Sequence, residues 1–153
     1  MRFDIVTIFP HAFDSYLNES IIKRARAKKL LDIRVHNLRD YTTDRHKTVD
    51  DRPYGGGPGM VLMVEPIYRA LRALRAAPPR MAKSKRETRV VMLAPEGKQL
   101  TQREAERLSQ YKRLVLVCGR YEGFDSRVDK LADEKISIGP YVLAGGELPA
   151  MVL

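Results

Sequence analysis

Arg113-Leu114-Val115-Leu116-Val117-Cys118-Gly119-Arg120-Tyr121-Glu122-Gly123 runs from an unbroken apolar stretch straight into glycine and charge. A short, continuously apolar strand is the kind that a parallel sheet buries on both faces. The turn that follows sets a cation, an aromatic ring and a carboxylate at its carboxyl end, and Gly119 lets a ligand approach the backbone. Cys118 itself reads as a small buried hydrophobe rather than a nucleophile.

Working outward, the flanks repeat the pattern. Upstream, Arg89 to Ala94 reads as a second apolar strand, stopped by Pro95-Glu96-Gly97. Thr101-Gln102-Arg103-Glu104 has the form of a capping box, so a helix should run to about Tyr111. Downstream, Phe124 to Ala132 reads as a helix and Lys135 to Ile138 as a short strand that enters a glycine-rich loop. Near the start, Arg2 to Ile8 alternates as a strand does and is ended by Pro10. Ser20 is a possible N-cap for a helix over Ile21 to Leu30, and Asp32 to Leu38 alternates again. Arg39 to Gly59 has no sustained period. Glu65 to Ala76 places Ile67, Ala70, Leu71 and Leu74 on one helical face, with Pro66 in the first turn. Pro78 to Thr88 is a basic linker. Strands alternating with helices predict one α/β domain over residues 1–153, with a mainly parallel sheet flanked by helices.

Such sheets bind ligands beyond the carboxyl ends of their strands. That singles out the positions after Leu93, after Cys118 and after Ile138. The last opens Ile138-Gly139-Pro140-Tyr141-Val142-Leu143-Ala144-Gly145-Gly146, apolar residues between glycines, which suits a flat apolar group held by backbone hydrogen bonds. A further glycine run, Asp50-Asp51-Arg52-Pro53-Tyr54-Gly55-Gly56-Gly57-Pro58-Gly59-Met60, lacks the Lys-Ser or Lys-Thr of a phosphate-binding P-loop. It reads either as a ligand loop or as a flexible turn. No G-x-G-x-x-G follows the first strand, so a standard dinucleotide site is unsupported.

The 153 residues suffice for one domain, with 28 Lys and Arg against 19 Asp and Glu and a net charge of +9. That balance favours a polyanionic partner, nucleic acid foremost. The charge is concentrated in Lys23-Arg24-Arg26-Lys28-Lys29 and in Arg80, Lys83, Lys85, Arg86 and Arg89. No apolar run approaches the ~20 residues of a membrane-spanning helix. The N-terminus has no signal-peptide form, and one cysteine excludes an internal disulfide framework. A cytoplasmic protein without a membrane association is expected. His11, His36 and His46 show no metal-ligand spacing. Leu148 to Leu153 reads as the first turns of a helix that stops uncapped, as in a chain cut short.

Several stretches, in order, resemble the bacterial tRNA (guanine-N1)-methyltransferase family TrmD, of the SPOUT class. They include Asp4 to Pro10, Arg39-Asp40-Tyr41, His46 to Asp51, Pro53 to Met60, Val117 to Gly123, Ser137-Ile138-Gly139 and Gly145 to Ala150. The resemblance implies a SPOUT-type fold with a C-terminal trefoil knot, a rare exception to chain topology. It implies S-adenosylmethionine in a pocket made by Leu93, Gly119, Tyr121, Glu122, Ile138, Gly139, Pro140, Tyr141, Val142, Leu143, Gly145 and Gly146. His46, Asp50, Arg52 and Arg120 would lie on the substrate side. Glu122 would be a catalytic contributor and a ligand for magnesium. Also implied are methyl transfer to N1 of the guanine at tRNA position 37, and a homodimer with shared sites. The family's base, an aspartate, and its helper arginine would lie beyond Leu153, as would its C-terminal tRNA-binding domain. This chain is then expected to be a donor-binding and dimerisation domain with little or no activity alone. Two departures stand out: Pro140 where the family usually has aspartate, and Met92 where an aromatic is frequent. Pro140 removes one backbone donor from the donor loop. A non-catalytic RNA-binding domain is the competing reading.

Overall fold

The computed structural model describes residues 1–76 and 87–153. Its element order is β1 (Arg2–Thr7), α1 (Ser20–Ala27), β2 (Asp32–Asn37), β3 (Asp50–Asp51), β4 (Val61–Leu62), α2 (Val64–Ala73), β5 (Thr88–Gln99), α3 (Gln102–Ser109), β6 (Arg113–Cys118), β7 (Glu134–Ser137) and α4 (Glu147–Val152). Single 3-10 turns lie at Pro10–Phe13, Tyr16–Asn18, Leu38–Tyr41 and Ser126–Lys130. The main sheet has strand order β2-β1-β6-β5-β7 and is parallel at every pairing, while β3 and β4 form a small antiparallel ribbon.

The expected class is therefore observed, and β6 occupies the centre as its composition requires. Its side chains alternate between two cores. Val115 and Val117 join Val6, Val90 and Met92 beneath the Ile67, Ala70 and Leu71 face of α2. Leu114, Leu116 and Cys118 join Ile5, Val91 and Leu93 against Phe13, Leu17, Leu108 and Ala150. Each of these large side chains contributes about 1.5–3 kcal/mol on leaving water. Helices on both faces are what an all-parallel sheet needs.

Several boundaries differ from the sequence reading. The strand expected to stop at Pro95 continues to Gln99, because residues 94–97 form an irregularity. Leu93 and Lys98 both face Ile136 of β7, and only β7 pairs beyond Leu93. A proline is tolerated where the strand has become one-sided and irregular. Gly97 crosses so close that a Cβ there would lie 2.5 Å from the Ile136 nitrogen. The helix expected over Phe124 to Ala132 is only the turn Ser126–Lys130. Asp125 caps it by accepting from the Arg127 N–H at 2.9 Å, while Phe124 stays extended and bridges to Leu62. Ser20 is not a cap: Glu19 holds that position without a side-chain bond, and Ser20 itself has φ 47°. Half of the capping box forms, with Thr101 Oγ1 accepting from Glu104 N–H at 3.3 Å, while the Glu104 carboxylate goes to Lys98 and Arg107. The Arg39 to Gly59 stretch contributes one turn and strand β3. Most of the basic linker, with Arg80, Lys83, Lys85 and Arg86, lies outside the described residues.

Candidate functional site

The carboxyl ends of β5, β6 and β7 open into one cleft of about 430 Å³, a volume typical of small-ligand sites. Its floor is backbone. At Gly119, directly after β6, a Cβ would sit 2.8 Å from the Leu93 carbonyl oxygen and 3.0 Å from the Phe124 ring. At Gly146 it would meet Cys118 Cα at 2.6 Å, and the Gly146 N–H donates to the Gly119 carbonyl at 2.8 Å. These two glycines let the first turn of α4 sit directly on the end of β6. The two loops are also tied by a bridge between Arg120 and Gly145.

Of the expected donor-pocket residues, Leu93, Gly119, Tyr121, Glu122, Ile138, Tyr141, Val142, Leu143, Gly145 and Gly146 line this cleft. Gly139 and Pro140 belong to the same loop but do not line it. Gly139 is covered by the Tyr141 ring, leaving no room for a side chain, and Pro140 is exposed. Buried Ser137 shapes this turn: its hydroxyl donates to the Gly139 carbonyl at 2.8 Å and accepts from the Gly139 N–H at 3.3 Å. Tyr121 takes φ 57° and remains 47% exposed, presenting its ring at the mouth. Met92 lies fully buried in the core.

The other glycine run reaches the cleft from the side. The Glu122 N–H donates to the Met60 carbonyl at 3.0 Å, and a Cβ at Gly59 would lie 2.5 Å from Glu122 Cγ. The β3–β4 ribbon is fastened there by Leu62 N–H to Gly123 carbonyl and Asp125 N–H to Leu62 carbonyl, both 2.9 Å. Arg120 lines the cleft, but His46, Asp50 and Arg52 do not. Asp50 is half-buried in β3, while His46 and Arg52 are exposed.

The polar machinery holds residues that the sequence did not single out. Glu147, buried at the start of α4, accepts from the Thr7 hydroxyl at 2.6 Å and pairs with Arg120 Nη1 at 3.6 Å. The Arg120 guanidinium lies over the Phe9 ring, 4.5 Å from its centroid. A side chain at Gly145 would strike the Glu147 carboxylate and Arg120. At the β7 edge, Lys135 Nζ bridges Glu96 and Asp129 at 2.9 Å each, and all three line the cleft. Burial alone would raise the Glu96 carboxyl, but the Lys135 hydrogen bond holds it below its ordinary value. The Cys118 thiol is pushed far up, by burial first and by Glu147 second, which leaves it inert. No sequence spacing joins Thr7 to a glutamate 140 positions away. Glu147 was visible only as part of a motif. Among the described residues no three His, Cys, Asp or Glu side chains gather as a metal site.

An open parallel sheet with a glycine-floored cleft beyond its carboxyl ends is an α/β domain with its cleft where such sheets bind ligands. The comparisons carry this further. The model of the family described as tRNA (Guanine-1)-methyltransferase TrmD matches residues 1–153, and the chain belongs to that family. The tRNA (guanine-N(1)-)-methyltransferase of Dictyoglomus turgidum is 50% identical over 153 residues, a match covering the whole chain and 59% of that relative. That of Geobacter sulfurreducens is 49% identical over 154 residues, covering the whole chain and 60% of that relative. The crystal structure of tRNA (m1G37) methyltransferase from Aquifex aeolicus superimposes with a TM-score of 0.85 at 38% identity, covering 99% of this chain and 66% of that one. The fold is thus of the SPOUT type. The chain spans about three fifths of the length of the curated relatives it matches.

Proposed function

We propose that this domain binds S-adenosylmethionine in the cleft and, as part of a tRNA (guanine-N1)-methyltransferase, presents it to the guanine at tRNA position 37. The observation that carries the reading is the cleft floor, where Gly119 and Gly146 bring the ends of β5 and β6 and the loop before α4 together with no room for a Cβ. The loop from Ile138 to Leu143 would hold the flat adenine, with Ile138, Tyr141, Val142 and Leu143 lining the cleft. Bound there, S-adenosylmethionine supplies an electrophilic sulfonium methyl group.

The chain's own residues position and shield. Tyr121 offers a ring at the mouth, Glu122 a carboxylate, and Arg120 a guanidinium restrained by Phe9 and Glu147. Holding both reactants in register is a large part of the acceleration that such a site provides. Neutral guanine carries a proton on N1, so an acceptor must take it as the bond to carbon forms. The resemblance assigns that task to an aspartate beyond Leu153, with an arginine as helper. Glu122 serves guanine or magnesium binding in this reading. Among the described residues no three His, Cys, Asp or Glu side chains gather around it, so a magnesium role for Glu122 rests on the resemblance alone. The reading also includes the knotted topology, a homodimer with shared sites, a cytoplasmic setting, and little or no turnover by this chain alone. No helix among the described residues is long and apolar enough to cross a membrane.

Calorimetric titration with S-adenosylhomocysteine is the direct test. One site per chain is expected, with competition by S-adenosylmethionine. A folded sample showing no heat of binding at millimolar ligand would remove the cofactor assignment.

A further inference from the structure

A second concavity lies at the other end of the sheet. Helix α1 and the start of β2 border a groove of about 570 Å³, lined by Asn18, Lys23, Arg26, Lys29 and residues 31–33. It is diagonally opposite the cleft, at the amino ends of the strands and at the β2 edge rather than the β7 edge. No residue of α1 is fully buried; Ile22 packs on the core, while Lys23, Arg24, Lys28 and Lys29 are exposed, so packing does not account for these cations.

Lys23 and Arg26, three apart, are neighbours on the helix surface, and Lys29 lines the same groove from beyond the helix end. Lys29 lies just past the helix end with φ 57°. It closes a Schellman turn in which the Leu30 N–H reaches the Ala25 carbonyl at 3.0 Å and the Lys29 N–H reaches the Arg26 carbonyl at 2.9 Å. Glycine is the residue this left-handed position favours. A lysine there carries backbone strain and sets a third cation over the groove.

Arg26 is pre-set. Its Nη1 donates to the Leu17 carbonyl at 2.9 Å and to Asn18 Oδ1 at 3.0 Å, which turns the rest of the guanidinium toward other acceptors. The acid that lines the groove, Asp32, is occupied by Arg34 through hydrogen bonds of 2.8, 3.1 and 3.2 Å. The row of cations is therefore not neutralised from within. Arg24 and Lys28, four apart and exposed, extend the positive field onto the neighbouring face.

We propose that this groove is a docking surface for the sugar–phosphate backbone of RNA, separate from the cleft. Only the choice of RNA as the polyanion rests on the proposed function; the geometry asks for a run of phosphates. A lipid surface fits less well. The exposed apolar side chains Ile21 and Leu30 stand at opposite ends of the element and form no apolar face. Phosphate contacts position a nucleic acid without reading its sequence, so the surface would orient RNA rather than select it.

The test uses the unmodified chain and the double variant Lys23→Ala/Lys29→Ala, both at exposed positions. Binding to a tRNA transcript is measured by fluorescence anisotropy across salt concentrations. We expect affinity at low salt to fall roughly tenfold and the log–log salt slope to shrink by about 2. Lys23→Arg/Lys29→Arg should retain binding. Arg103→Ala/Lys112→Ala, which removes the same charge elsewhere, should have less than half the effect. The groove assignment is overturned by a double variant that matches either the unmodified chain or the charge-matched control. No tRNA binding by the unmodified chain, or stronger binding to anionic phospholipid vesicles than to tRNA, also overturns it. Titration with S-adenosylhomocysteine in the same variants should be unchanged, and its result reports on the cleft independently.

Discussion

Strand β1 buries two polar side chains, Asp4 and Thr7, on opposite faces of the sheet, and the assemblies around them differ in kind. Asp4 is fully buried and its oxygens are enclosed by Arg113 Nε at 2.6 Å, His36 Nε2 at 2.7 Å and Arg2 Nη2 at 2.9 Å. Since an ionised carboxylate only accepts, His36 donates to it from Nε2, while its Nδ1 meets the Tyr41 hydroxyl at 3.2 Å. Arg113 reaches on to the Leu74 carbonyl at 2.7 Å, tying the end of α2 to the sheet. Thr7 instead opens toward the cleft through Glu147 and Arg120, where the guanidinium keeps an exposed edge. The same chemistry is closed on one face and open on the other. The closed assembly holds the sheet to its helix, and the open one holds a cleft wall in place for a ligand.

The largest expected effect comes from breaking the closed side. Asp4→Ala leaves half-buried Arg113 and His36 without their buried anion, and should lower the unfolding free energy by about 3 kcal/mol. Denaturant titration measures it. The pH dependence gives a second reading of the same group. Burial alone would raise the Asp4 carboxyl, but the bonds from His36, Arg2 and Arg113 hold it far below its ordinary value of 3.8. A depressed folded pKa contributes stability that is fully present above the unfolded value and is lost as pH falls through the folded one. The native chain should thus lose stability below pH 3.8 more steeply than Asp4→Asn does. Equal acid slopes in the two proteins would show that Asp4 is not the group responsible.

This division was only half legible in the sequence. The apolar run Leu114 to Cys118 and the turns after Leu93, Cys118 and Ile138 located the sheet and the cleft, because they depend on local composition. Asp4 and Thr7 looked like ordinary polar positions in an alternating strand. Their partners Arg113 and Glu147 arrive from the far end of the chain, and nothing in local spacing announces such pairs. Pro95 misled for a related reason. A proline normally ends a paired strand, but here it falls in the irregularity between Leu93 and Lys98, after which pairing with β7 resumes. The turn at Ser126–Lys130 reads as a helix by period, but tertiary pairing of Phe124 with Leu62 takes its first residue away.

A smaller effect should follow from disturbing the open side. Gly145→Ala pushes a methyl group against the Glu147 carboxylate and Arg120. Both are flexible side-chain ends, so the fold survives with a stability loss below about 1 kcal/mol. The displaced guanidinium and loop should cost roughly tenfold in S-adenosylhomocysteine affinity, ~1.4 kcal/mol. Parallel calorimetry and thermal unfolding separate the two quantities. A variant that loses stability as Asp4→Ala does, yet binds normally when folded, would erase the distinction between the two faces.

The smallest effect belongs to neither assembly and calibrates both. Helix α2 ends as α1 does, with Arg75 at φ 52° and the Ala76 N–H on the Leu71 carbonyl at 2.7 Å. A non-glycine residue in this conformation costs about 1 kcal/mol. Glycine removes that cost but gives back part of it through its freer unfolded chain. Arg75→Gly should therefore gain about 0.5 kcal/mol, raising the unfolding midpoint by about 1–2 °C. Donor and tRNA binding should stay unchanged, since Arg75 belongs to neither the cleft nor the basic groove. Lys29→Gly relieves the same strain and should gain the same stability, but it removes a groove cation and should weaken tRNA binding. If both variants gain stability and only Lys29→Gly loses RNA affinity, the left-handed lysine is kept for its charge. If neither loses affinity, the strain at Lys29 carries no RNA-binding role.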